Sequence, residues 1–215
     1  MRIETLERRR GRQFCMTLDD GREYMVDKQT MEESVYTVGS TLEEEALEHL
    51  LSASQTRRAR EYALYLLSVR DYGERELCRK LREKGYTEQA AETAARMSEL
   101  GLVNDEVYAR RLARDCRLRK LYARRRTVQE IMTHGIAREV AQYAAEAVDE
   151  TENLTDLQQA LALLEKKRYT ISAAPAERQR GTALLMRYGY DGGTVREAWR
   201  VLGDGMEDDY IEFEE

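Results

Sequence analysis

One short segment occurs three times along this chain, and its spacing restricts the possible fold more than any other feature. Leu81-Arg82-Glu83-Lys84-Gly85-Tyr86 aligns with Ile131-Met132-Thr133-His134-Gly135-Ile136 and with Leu185-Met186-Arg187-Tyr188-Gly189-Tyr190, at offsets of 50 and 54 residues. In each copy an apolar residue stands four before a glycine and another follows the glycine directly. Downstream, Ala90, Val140 and Thr194 align, then Ala94, Ala144 and Ala198, then Met97, Ala147 and Val201. Upstream, Ala59, Tyr62, Ala63 and Leu66 match Ala109, Leu112, Ala113 and Cys116; the third copy carries extra residues around Tyr169 to Pro175, with Leu157, Leu161 and Leu164 before them. A period of this length, with glycine closing an amphipathic run, is the pattern of a helical repeat.

Each repeat reads as three helices, in the first copy over 56–69, 73–84 and 88–99. Asp71 with Glu74 three residues later forms a capping-box pattern, and Gly85 supplies the left-handed residue that ends the helix. Thr87, Asn104 and Asp191 are further cap candidates, and Gly101 is another stop. A unit of this size hides its apolar face poorly alone. The expectation is therefore a mainly α fold whose tandem three-helix repeats stack into an elongated, curved array. The parts are an N-terminal segment (1–55), repeats over 56–104, 105–150 and 151–203, and an acidic tail (204–215).

Only the N-terminal segment carries a β signal. Arg12 to Leu18 and Arg22 to Val26 flank Asp19-Asp20-Gly21, and an Asp-Gly turn between short apolar-bearing runs predicts a hairpin. From Asp27 to Ser52 the pattern turns helical, with Ser40 or Thr41 as N-cap and Glu43 to Glu45 in the first turn, where the helix dipole favours acids. The polar stretch Ser52 to Thr56 reads as a link to the repeats.

Charge is segregated. The net charge of −6 conceals a segment, Arg110 to Arg126, with nine bases (Arg110, Arg111, Arg114, Arg117, Arg119, Lys120, Arg124, Arg125, Arg126) against one acid, Asp115. Gly203 to Glu215 holds seven acids and no base, and Glu32 to Glu48 six acids and no base. On a helix from Asp105 to Arg119, residues 110, 114 and 117 fall on one side at 100° per residue, opposite Tyr108, Leu112 and Cys116. Arg110, Arg114 and Arg117 are thus expected as one exposed stripe. Arg124 to Arg126 open the next helix, where cations oppose the dipole and weaken the helix. Such a segment is either a solvated face or a surface for a polyanion or an acidic protein groove, and Tyr108 and Tyr122 are either core residues or stacking platforms.

The residues give little to catalysis. His49 and His134 are the only histidines, and His134 beside Gly135 reads as a helix-end residue. No pair of Cys or His has zinc-ligand spacing, Gly189 to Gly193 lacks the ending a phosphate loop requires, and acids such as Glu43 to Glu45 lie in exposed runs. The longest apolar run, Tyr62 to Leu67, is far short of a membrane span. Scattered Cys15, Cys78 and Cys116, with no apolar stretch after Arg8 to Arg10, fit a reduced, cytoplasmic chain. No cofactor, metal or small-molecule substrate is expected.

The block from Ala63 to Asn104, containing Leu-Leu-Ser-Val-Arg-Asp-Tyr-Gly-Glu-Arg-Glu-Leu at 66–77 and Leu100-Gly101-Leu102-Val103-Asn104-Asp105, resembles the first repeat of the RecX family, bacterial regulators of the RecA recombinase. The resemblance continues through Tyr108-Ala109-Arg110 and into Ala183 to Trp199, and departs from the family at Thr127, Met132 and the tail after Gly203. It implies a non-enzymatic modulator lying in the groove of the RecA filament on single-stranded DNA. Such a modulator lowers recombinase, ATPase and coprotease activity, with the nine basic residues facing RecA or the DNA backbone. In this reading the acidic tail competes for the basic stripe. Two alternatives stand beside it: a helical repeat protein that binds nucleic acid without RecA, and a helical scaffold for another protein.

Overall fold

The computed structural model describes residues 1–170 and 174–204; the acidic tail expected over 204–215 lies, beyond Asp204, outside the described residues. The chain divides into two compact units, Met1–Val103 and one beginning at Asn104. Among the described residues no helix is long and apolar enough to cross a membrane.

The first unit opens with a three-stranded antiparallel sheet in the order β1 (Ile3–Arg9), β2 (Gln13–Leu18), β3 (Glu23–Asp27). The expected hairpin is β2–β3; β1 is an addition to it. A bulge between Ile3 and Thr5 explains why β1 is hard to read, because it lets Ile3 and Leu6 pack into one core although they are three residues apart. Met16, Leu18 and Val26 complete the inner face of the sheet, against Met31 of α1 (Lys28–Glu33) and Leu47 and Leu50 of α2 (Glu44–Val69).

α2 corrects two expectations. Its N-cap is Glu43, not Ser40 or Thr41, and it runs unbroken through Ser52–Thr56. Ser52 and Gln55 of that stretch are exposed, and Ser54, buried in the helix, accepts the backbone N–H of Asp27 at 2.7 Å. Asp27 in turn caps α1 by accepting from Gln29 N and Thr30 N.

The C-terminal half of α2 packs with α3 (Glu74–Glu83) and α4 (Ala90–Glu99) around Ala59, Ala63, Leu66, Leu77, Leu81, Ala94 and Met97. Gly73, not Asp71, is the N-cap of α3, and Gln89, not Thr87, that of α4. In the second unit α5 (Asp105–Arg114), capped by Asn104, runs on as a π-helical turn over Asp115–Arg119. There follow α6 (Arg124–Thr133), α7 (Arg138–Thr151), α8 (Asp156–Lys166), α9 (Pro175–Arg187) and α10 (Gly192–Asp204).

The recurring segment is the end of the middle helix of each repeat. Leu81, Ile131 and Leu185 are fully buried, and Gly85, Gly135 and Gly189 have φ of +103°, +82° and +95°. In the first repeat Tyr86 N–H reaches Leu81 O and Gly85 N–H reaches Arg82 O; Tyr190 and Gly189 do the same to Leu185 and Met186. This is the Schellman arrangement, whose crossed bonds need a left-handed residue and whose flanking apolar pair closes over the helix end. The apolar–Gly–apolar pattern is thus the chemical requirement of this helix stop in the first and third copies; the second shares the left-handed glycine and its Gly135 N–H to Met132 O bond. Ala94, Ala144 and Ala198, all buried, mark the equivalent face of the third helix. In the third repeat Leu164 is buried, whereas Leu157 and Leu161 are half-buried at the edge of its cluster.

Candidate polyanion-binding face and the family of the chain

The nine basic residues of 110–126 do not form one surface. Arg110, Arg111 and Arg114 project from α5 and border an open hollow of about 400 Å³ with Ala147, Thr151 and Glu152. Arg110 lies over the Tyr143 ring at 5.6 Å, and Arg114 pairs with Glu152 at 3.0 Å. Arg119 is 83% exposed and paired with Asp115, while Lys120 bridges Asp115 and Glu130.

Arg117 is the correction: it is not part of the exposed stripe but has 0% of its side chain exposed. Its Nε donates to Asp149 Oδ1 at 2.6 Å, and its Nη1 to Tyr122 O at 2.6 Å and Asp156 Oδ1 at 2.7 Å. The displacement follows from the backbone. The π turn, marked by Lys120 N–H to Asp115 O, advances less than 100° per residue, which carries Arg117 from the side of Arg110 and Arg114 towards that of buried Ala113. Tyr108 and Cys116 are buried as expected, and burial pushes the Cys116 thiol up to about 11.

The arginines that open α6 are less costly than the dipole argument implies. Arg124 Nε pairs with Asp149 Oδ2 at 2.7 Å, which raises the guanidinium pKa, and the Arg124 backbone N–H donates to Asp156 Oδ1 at 3.0 Å. Arg126 is half-buried; its guanidinium stacks over Tyr122 at 4.4 Å and donates to Arg187 O. Tyr122 meets Tyr188 edge-on, so it serves packing at this junction. Arg125 is exposed and makes no ion pair among the described residues.

Asp115, Glu130, Asp149, Glu152 and Asp156 thus stand against nine cations, so the local excess falls from +8 in the sequence to +4 in the fold. The solvent-facing set is Arg110, Arg111, Arg114, Arg119, Arg124 and Arg125, with half-buried Lys120 beside them. Two bases outside the segment join it. Arg138, at the start of α7, shares a hollow of about 570 Å³ with Arg124, Arg125, Glu146 and Asp156, and Arg187 shares another of the same size with Arg125, Arg126 and Asp191. A linear charge count misses both because packing alone brings them alongside α6. His134 caps the end of α6 with Nδ1 3.3 Å from the Tyr108 hydroxyl, a packing role. Among the described residues no cluster of His, Cys, Asp and Glu could hold a metal ion.

Comparison with known proteins fits this architecture. Residues 59–95 match the family model for the first three-helix domain of RecX. A regulatory protein RecX from Chlorobaculum tepidum is 32% identical over 149 residues, covering 68% of this chain and 89% of its own length. Another from Stenotrophomonas maltophilia strain R551-3 is 32% identical over 162 residues, covering 72% and 96%. A crystal structure of a regulatory protein RecX superposes with a TM-score of 0.64 at 19% identity, covering 92% of this chain and 98% of that one. RecX from Lactobacillus salivarius gives 0.59 at 19% identity, over 70% and 98%. With a relative this similar over nearly its whole length and the same arrangement of helices, the chain belongs to the RecX family of regulatory proteins.

Proposed function

We propose that this chain is a non-enzymatic cytoplasmic regulator that binds the RecA filament on single-stranded DNA and restrains its assembly, ATP hydrolysis and strand exchange. Family membership supports the class of activity. The residual positive face of the second repeat, in a protein of net charge −6, supports the mode of contact: it offers charge complementarity to an acidic protein groove or a phosphate backbone. Arg110, Arg111, Arg114, Arg119, Lys120 and Arg125 carry that contact. Arg117 and Arg126 hold the face in shape, and exposed Arg124 does both, pairing with Asp149 while facing solvent.

The test is DNA-dependent ATP hydrolysis by the cognate RecA, titrated with the full chain and with Arg110→Glu/Arg114→Glu/Arg125→Glu. The wild type should inhibit below one copy per RecA protomer, and the variant should need at least about tenfold more, the equivalent of 1.4 kcal/mol. Wild type that leaves hydrolysis untouched in several-fold excess overturns the function. A variant as potent as wild type removes this face from the contact.

A further inference from the structure

The tip of the β1–β2 hairpin is a second cationic surface, remote in sequence from the face above. Its three-residue turn, Arg10-Gly11-Arg12, follows Arg8 and Arg9 at the end of β1, so four guanidinium groups are carried within five residues. All four arginines are exposed. The only ion pair they make among the described residues is Arg9 to Glu7 at 2.9 Å, with both side chains more than half exposed. Arg8, Arg10 and Arg12 have no carboxylate partner there.

The turn is fixed. Gly11 has φ +79° and Arg12 φ +58°, and the Arg12 carbonyl accepts the backbone N–H of Lys28 at 2.8 Å, tying the tip to the start of α1. A left-handed position favours glycine or asparagine, so an arginine there holds its charge against the preference of its own backbone. Ladder pairing of Arg8 with Phe14 and Arg9 with Gln13 anchors the other two on a strand whose inner face is packed into the core.

We infer that this tip is a nucleic-acid contact that grips phosphates along the backbone, with Arg8, Arg9, Arg10 and Arg12 as its contacting residues. The chemistry favours a phosphate chain over the alternatives. From Arg8 to Gln13 there is no apolar or aromatic side chain, so the tip lacks the buried anchor on which protein hot spots rest and the wedge that inserts into lipid. Without an aromatic ring it cannot stack on bases, so it reads neither sequence nor strandedness.

Fluorescence anisotropy of labelled oligo(dT) of about 30 nucleotides and of a duplex of similar length, titrated with the full chain and no recombinase over about 50 to 200 mM salt, measures the contact. Replacing all four arginines by glutamine should flatten the plot of log K against log salt by about 2.8 for the single strand and about 3.6 for the duplex. Wild-type affinity for the single strand should accordingly fall about 50-fold more than the variant's across that range. The four-lysine variant should keep the wild-type slope. If the glutamine variant fails to melt cooperatively, Arg10→Gln alone, in the turn, should lower the single-strand slope by about 0.7. A slope change below about half the expected value overturns the assignment. So does a glutamine variant that binds DNA like wild type yet loses action on the RecA filament, which would make the tip a protein contact. Because the DNA titration contains no recombinase, its salt slopes are independent of the function proposed above.

Discussion

Replacing Arg117 by methionine separates the folded structure from a helical-wheel reading of the same residues. On the wheel Arg117 is one of three solvated arginines, and its loss would change stability by less than about 0.5 kcal/mol. In the fold it is fully buried and donates three hydrogen bonds, to Asp149, Tyr122 O and Asp156. Methionine fills much of the stem's volume, so the cost is mainly electrostatic. Asp149, 3% exposed, would keep only Arg124, and the carbonyl of Tyr122 would lose this donor. Breaking a buried pair from one side costs about 3–5 kcal/mol, and the remaining Arg124 contact places this case near 3. For a unit of about 100 residues that is a fall in Tm of roughly 12–20 °C, read by calorimetry or urea unfolding of the full chain. Arg117→Met/Asp149→Met should recover more than half the loss, since no uncompensated buried charge remains at Asp149. A loss below about 1 kcal/mol for the single variant would refute the reasoning and return Arg117 to the surface.

Two further predictions concern helix ends. Gly85→Ala and Gly189→Ala both impose a positive φ on alanine, at about 1–2 kcal/mol each, but a Cβ at Gly85 meets nothing while one at Gly189 would stand 2.5 Å from Arg126 Cβ. Urea unfolding should show Gly189→Ala worse by a further ~1–3 kcal/mol; equal losses would mean that the two repeats do not approach closely there. Asp191 accepts from the backbone N–H groups of Thr194 and Gly193, and these bonds hold its carboxyl below the ordinary 3.8. Its charged form therefore stabilises the fold above that value, and the contribution fades as pH falls through the lowered folded pKa. Asp191→Ala should cost about 1 kcal/mol at pH 7 and progressively less below about pH 4 in thermal melts; a pH-independent difference would rule out the carboxylate as the capping group.

What could be read beforehand divides along physical lines. The three helix stops are legible because a helix end with a left-handed residue needs a glycine there, and Gly85, Gly135 and Gly189 meet that need locally, with apolar neighbours at fixed spacing. β1 is not, because its bulge breaks the alternation that announces a strand, and the continuity of α2 is hidden because exposed Ser52 and Gln55 stand beside Ser54, a buried polar residue bonded to another element. The basic segment is visible in the sequence, but the burial of its members is not. Whether Arg117 faces water depends on a π turn and on acids 32 and 39 residues away, neither of which a linear charge count contains.

α2 spans 26 residues, about 39 Å, and lends its first half to the core under the sheet and its second half to the first repeat. A helix common to two cores ties their fates together. Cutting the chain near residue 55 would not free an accessory domain; it would sever the helix beside Ser54 and strip each half of one wall. The sheet and first repeat should accordingly show a single level of amide-exchange protection along the whole of α2. The N-terminal strands then become part of the repeat's own stability, and a charge placed on their tip inherits a rigid mount.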